Sequence, residues 1–222
     1  MLVRETMACD GISQILNCLL SCYPQAACSL NFQNPYELLI STILSAQTTD
    51  VRVNQVTEKL FIYYSDPFKL ASAKIDNVEQ ILRTIGCYRV KTRNIILCAQ
   101  QLVNQFNGTV PKNFEELVKL PGVGRKTANV VLSNAFNVPR LAVDTHVRRV
   151  SYRLGLSVST DVEVIEQDLC KKIIPELWCK VSHLLIFHGR NCCKARRPAC
   201  SECCLIYLCP KNIQPQSANL RK

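Results

Sequence analysis

Apolar residues recur every three to four positions along almost the whole chain, and that spacing permits little except helices. Ile12, Ile15, Leu16 and Leu19 form one stripe at i, i+3, i+4 and i+7. Tyr36, Ile40, Ile43 and Leu44 form a second, and Val53, Val56 and Leu60 a third. Ile95, Ala99, Leu102 and Phe106 form another. No run alternates apolar and polar residues as a half-buried strand would. Start signals sit between the stripes. Asn34-Pro35 with Glu37 makes a capping box with proline at the first helical position. Asp66-Pro67, Asp76-x-x-Glu79, Asn113-x-x-Glu116 and Thr160-x-x-Glu163 read the same way. Tyr23-Pro24 ends the first helix, and Gly108 ends the one that carries Ile95, Ala99, Leu102 and Phe106. The expectation is an all-α fold with a cysteine-rich loop near the C-terminus.

At 222 residues, 48% of them hydrophobic, the chain has material for one large domain or two smaller ones. Its 27 basic residues outnumber the 17 acidic ones, a net charge of +10. Such a balance suits a polyanionic partner, nucleic acid first and an anionic membrane second, or simply a soluble basic protein. No apolar run approaches the roughly 20 residues needed to cross a bilayer. Glu5 and Asp10 interrupt any signal-peptide core, so the expectation is a cytoplasmic, nucleoid-associated protein with no membrane partner.

Between two helical patterns lies Leu120-Pro121-Gly122-Val123-Gly124-Arg125-Lys126-Thr127. Gly122 and Gly124 allow a very tight turn and close backbone approach. The turn opens directly onto a helix start, whose N–H groups suit an anion such as one DNA phosphate. An ordinary tight αα-turn fits Pro-Gly-Val-Gly equally well; Arg125 and Lys126 tip the reading towards DNA. Lys126 is an amine at a helix N-terminus, where the positive end of the dipole disfavours added positive charge. An uncharged amine is a nucleophile able to form a Schiff base. Eighteen residues later Asp144, in Val-Asp-Thr-His, precedes a helical stripe of Val147, Val150 and Leu154 and reads as its N-cap.

Fourteen cysteines is a high count, and without a secretion signal it points to buried thiols and a metal site rather than disulfides. Cys193-x6-Cys200-x2-Cys203-x5-Cys209 supplies four thiols suited to zinc or to an iron–sulfur cluster. The intervening Lys194, Arg196 and Arg197 make a basic loop, either solvated or touching phosphates.

Several blocks in order resemble the endonuclease III family, within the hairpin–Gly/Pro-rich–Asp superfamily of DNA glycosylases. They are Leu38 to Asp50, Thr84 to Tyr88, the hairpin block from Leu120, Ala142 to His146, His188 to Arg190, and the four cysteines. The resemblance implies a two-lobed all-α fold. One lobe, 29–138, is a six-helix bundle ending in the helix-hairpin-helix with its hairpin at 120–124. The other, 1–28 plus 139–222, carries the cluster loop 193–209. It implies a monomeric bifunctional DNA glycosylase and AP lyase of base excision repair. Its partner is double-stranded DNA holding an oxidised pyrimidine or an abasic site. Lys126 is then the Schiff-base nucleophile and Asp144 the catalytic carboxylate. Cys193, Cys200, Cys203 and Cys209 hold a [4Fe–4S] cluster, with Cys192 and Cys204 as bystanders. Gln47 fills the hole left by a flipped nucleotide. Cys87 stands where the family's second wedge is commonly bulky and apolar, a departure. Asp50 matches an acidic residue near the lesion pocket or else caps the Val53 helix. Arg148 and Arg149 point to phosphates or solvent, and His146 to a local structural histidine. Two other readings stay open: a monofunctional or mismatch glycosylase, and a non-catalytic iron–sulfur DNA-binding protein.

Overall fold

The computed structural model describes residues 11–211, and among them every regular element is helical. The helices are α1 (Gly11–Cys22), α2 (Pro35–Leu44), α3 (Asp50–Tyr63), α4 (Pro67–Ala71), α5 (Ile75–Leu82) and α6 (Tyr88–Phe106). There follow α7 (Phe114–Leu117), α8 (Arg125–Ala135), α9 (Thr145–Arg153), α10 (Val162–Lys172) and α11 (Trp178–Asn191). Short 3-10 turns at Pro175–Leu177 and Cys200–Glu202 complete the list. None of these helices is long and apolar enough to cross a membrane.

The chain divides into two compact units. One is continuous, Cys28–Arg140. The other draws on both ends of the chain, up to Ala27 and from Leu141 onward. The continuous unit holds α2 to α8, seven helices where six were expected. Asp66 and Pro67 start a five-residue helix of their own, α4. Its core is built from Leu38, Leu39, Ile40 and Leu44 of α2 with Leu60, Leu70, Leu82, Ile95 and Leu102, all fully buried. Helix α2 is buried along nearly its whole length, from Leu38 to Leu44. Its polar residue Thr42 is accommodated by turning its hydroxyl back onto Leu38 O at 2.7 Å. The discontinuous unit packs Ile15, Leu16 and Leu19 of α1 against Val147 and Val150 of α9, Ile165 and Leu169 of α10, and Leu184 and Leu185 of α11. Lys180 of α11 also donates to Pro24 O and Ala26 O, at 3.0 and 2.8 Å, fastening the end of α1.

The caps explain the element boundaries. Asn34 Oδ1 accepts from Glu37 N at 2.9 Å, while the Glu37 carboxylate accepts from Gln33 N at 2.7 Å. The box therefore closes one residue earlier than a standard one. Asp66 and Asn113 cap α4 and α7 as expected. Three starts differ. Thr49, not Asp50, caps α3, leaving Asp50 as the first helical residue. Asp161, not Thr160, caps α10, because its carboxylate accepts from both Glu163 N and Val164 N. Helix α5 begins after Lys74 with no side-chain cap, so Asp76 lies inside its first turn. There its charge complements the helix dipole without a capping bond.

Replacing Asn34 with alanine leaves the α2 start uncapped and should lower unfolding free energy by about 1 kcal/mol. Denaturant titration of the two proteins measures it, and an unchanged midpoint would refute the assigned cap.

Candidate active site and cysteine loop

The hairpin is fixed by packing. Val123 N donates to Leu120 O at 3.1 Å, and Gly122 adopts φ +78°. A Cβ on Gly122 would lie 3.0 Å from Ile43 Cγ2 and 3.1 Å from Asn94 Cβ. Both the backbone angle and the space therefore call for glycine, and the turn is pressed onto α2 and α6. Gly124 is the N-cap of α8 and supplies no side-chain cap. Past it, Thr127, Ala128, Val130, Val131 and Leu132 are buried, which fixes the rotation of α8. Lys126, second residue of the helix, is exposed, while Arg125 is half-buried with its guanidinium 5.3 Å above the Phe114 ring. Arg140 approaches the same ring at 5.0 Å. Arg125 is thus partly committed to a cation–π contact within its own unit.

Two further loops of this unit meet. Gln47 and Cys87 are exposed, and both hold left-handed backbones, φ +53° and +54°. A Cβ on Gly86 would lie 3.9 Å from Gln47 O, so the loops are in contact range.

In the other unit, Asp144 is half-buried and caps α9, its Oδ1 accepting from His146 N and Val147 N, each at 2.8 Å. The cap fixes the carboxylate and leaves its second oxygen outside these two bonds. The same helix carries Arg149 and Arg153. Arg149 donates to Gly189 O at 2.8 Å and Cys193 O at 3.1 Å. Arg153 donates to Lys194 O at 2.8 Å, Ala195 O at 3.2 Å and Cys193 Sγ at 3.3 Å. Arg149 was expected to face phosphates or solvent; its guanidinium is instead spent on carbonyls at the end of α11. Arg148 is exposed. His146 contacts Arg149 Nη2 at 3.2 Å, and its pKa is pulled down, chiefly by burial, against the opposing pull of Asp144.

Cys193, Cys200, Cys203 and Cys209 line one cavity of about 30 Å³. The donors around it suit thiolates. Arg153 Nη1 points at Cys193 Sγ, Leu205 N at Cys203 Sγ (3.4 Å) and Lys211 N at Cys209 Sγ (3.3 Å). Such N–H···S bonds stabilise negative sulfur, so the residues fit a thiolate-bound metal group. Cys192 lines the same cavity, its thiol donating to Ala199 O at 3.3 Å; burial first, and then Cys203, push its pKa up to about 12. Cys204 is pushed up to about 12 as well, again mostly by burial. Lys194, Arg196 and Arg197 are exposed on the loop. None of the described cysteines forms a disulfide.

Arg153 and His188 were given no role from the sequence, and Arg149 a different one. Arg153 and Arg149 share one face of α9 at i and i+4, a visible signal whose partners lie about forty residues away. His188 is buried, holds Tyr23 Oη at 3.2 Å on Nδ1, and brings Nε2 to 3.8 Å from Cys203 Sγ. Burial lowers its pKa to about 4, so the ring is neutral at pH 7.

Known proteins show the same pattern. Residues 40–176 match the model of the HhH-GPD superfamily of base excision DNA repair proteins. An endonuclease III of Synechocystis sp. is 48% identical over 199 residues, covering 89% of this chain and 91% of the relative. That of Bacillus subtilis is 47% identical over 201 residues, 90% of this chain and 92% of the relative. A solved trapped endonuclease III–DNA covalent intermediate, 48% identical, superposes with a TM-score of 0.85 over 90% of this chain and 96% of that one. The chain belongs to the endonuclease III family of this superfamily and is a DNA glycosylase of base excision repair.

Gly122→Ala forces a Cβ into both a left-handed backbone and a filled space, and should cost about 2 kcal/mol of stability. Thermal unfolding reads the loss; a neutral effect would mean that the hairpin is free to move off α2 and α6.

Proposed function

We propose that this enzyme removes oxidised pyrimidines from duplex DNA and then cuts the strand 3′ to the abasic site. The observation that carries the reading is Lys126, an exposed amine at the second position of α8, directly after a glycine hairpin whose backbone is fixed. The relatedness to a trapped endonuclease III–DNA covalent intermediate supports a covalent route.

In this reading, the amides at the uncapped start of α8 hold one phosphate, and the excess of basic residues supports the rest of the backbone contact. The damaged nucleotide must leave the stack to meet the amine. Gln47 and Cys87 occupy the space it vacates. Lys126 Nζ attacks C1′, the bond from C1′ to the base breaks, and the base departs with a proton. The Asp144 carboxylate stabilises the cationic sugar character, and it is the base that takes up the proton the amine loses. Ring opening gives the C1′ imine. That imine acidifies C2′; loss of its proton expels the 3′ phosphate by β-elimination, and water then frees Lys126. Asp144 serves both as helix cap and as catalyst, since a capping carboxylate accepts hydrogen bonds in its ionised form.

Cys193, Cys200, Cys203 and Cys209 would hold a [4Fe–4S] cluster. When bound, it cross-links the loop through four thiolates and stiffens the edge bearing Lys194, Arg196 and Arg197. The chemistry at C1′ belongs to the side chains.

Borohydride trapping on duplex DNA containing thymine glycol or an abasic site tests the reading. A covalent adduct should form and vanish in Lys126→Ala; base release without any adduct would make the enzyme monofunctional. Asp144→Asn keeps a good N-cap but removes the charge. It should therefore slow base release on the order of 100-fold while leaving stability and visible absorbance unchanged. Lost absorbance would instead assign Asp144 a folding role. Cys203→Ala should abolish the visible absorbance and lower bound iron, whereas Cys192→Ala should change neither.

A further inference from the structure

Lys91 is a buried lysine that no step of the chemistry uses. It lies in the first turn of α6 and is 5% exposed. Its placement is unfavourable on three counts. Burial penalises the ammonium and draws its pKa down. The positive end of the α6 dipole repels it. The ion pairs Lys69–Asp66 and Arg89–Glu79 do not involve it. What it has is one short hydrogen bond, Nζ to Thr48 Oγ1 at 2.7 Å.

That bond crosses between the two loops of interest. Thr48 directly follows Gln47, and its own N–H is bound to Ser45 O at 3.1 Å. Lys91 N donates to Cys87 O at 3.1 Å, tying its backbone to the other loop. Gln47 and Cys87 both sit in left-handed conformations that ordinary side chains rarely adopt. Such backbones persist when the surroundings over-determine them. The first helical bond of α6 joins the backbone of Lys91 to the Cys87 turn, and its side chain adds the bond across to Thr48.

The geometry points to Lys91 as a positioning residue, a strap that holds the Gln47 loop and the Cys87 turn at one fixed separation so that both can enter the duplex together. The inference rests on the reading above in which these two residues fill the vacated space. It accounts for a buried ammonium where an apolar side chain would cost less. It also bears on the departure at Cys87: a small wedge does its work only if its partner across the hole is held rigidly.

The experiment compares thymine glycol paired with adenine against the same lesion opposite an abasic site, under single-turnover conditions. Flipping from the second duplex needs little help, because no partner base has to be released or replaced. Lys91→Met should slow base release from the paired duplex by about tenfold or more, and from the gapped duplex by no more than about twofold. Thr48→Val removes the hydroxyl at nearly constant volume and should reproduce that selective loss, should Lys91→Met fold poorly. Thr48→Ser should restore the paired-duplex rate. The double variant should fall no further than either single one, as expected for one shared interaction. Equal slowing on both duplexes, or none on either, overturns the strap. Borohydride adducts with abasic DNA separate the two ideas. If every variant still forms them, the Lys126 reading survives whatever the strap does; if the unmodified enzyme forms none, that reading fails and takes the strap with it.

Discussion

Two guanidinium groups on one helix organise the part of the molecule that has least regular structure. Between α11 and Lys211 the described residues hold one short 3-10 turn, and this segment must take its shape from outside. Arg149 and Arg153 provide it, reaching the carbonyls of Gly189, Cys193, Lys194 and Ala195. A helix C-terminus presents unpaired carbonyls and partial negative charge, so cations are the natural partners there. Hydrogen bonds to charged groups are worth about 1.5–3 kcal/mol each, enough to compete with the entropy of ordering a loop. Gly189 belongs to this arrangement, because a Cβ there would lie 3.1 Å from both Arg149 Nη2 and His146. The helix that anchors the cysteines at one end is therefore the helix that begins at Asp144.

The continuous unit solves a different problem. In the proposed chemistry it shows the Lys126 amine to solvent from a helix that is otherwise deeply embedded. Helix α8 does this by burying its apolar face and leaving only its first turn open. The cost of the exposed start is met by packing, since Gly122 lies flat on Ile43 and Asn94. Rigidity of this kind suits the proposed role of Lys126, because an amine held near its target geometry needs little further ordering.

Local chemistry was legible in the sequence where one residue type had one job. Asn34, Asp66, Asn113 and Asp144 were readable as caps because a short polar side chain before an apolar stripe satisfies the first amides. Ambiguity arose where two capable residues were adjacent, as with Thr49 and Asp50 or Thr160 and Asp161, and only the backbone angles decide. The hairpin, Lys126 and the cysteine spacing stood out because their residues are close in sequence. Lys91 and Arg149 did not, since a lysine or arginine on a helix is usually solvated and nothing local reveals burial. Their partners lie 43 and 40 residues away, a separation that only the tertiary fold makes short.

One unit of this enzyme is assembled from both ends of the chain, with 28–140 inserted between them. The ribosome delivers those pieces far apart in time. Once 28–140 has emerged, every helix it needs is present. Helix α1 emerges before them, yet Ile15, Leu16 and Leu19 are buried against α9, α10 and α11. At roughly 5–20 residues per second, its apolar stripe waits on the order of ten seconds or more for α11. During that interval it is the surface on which a chaperone, rather than the enzyme's own core, has first claim.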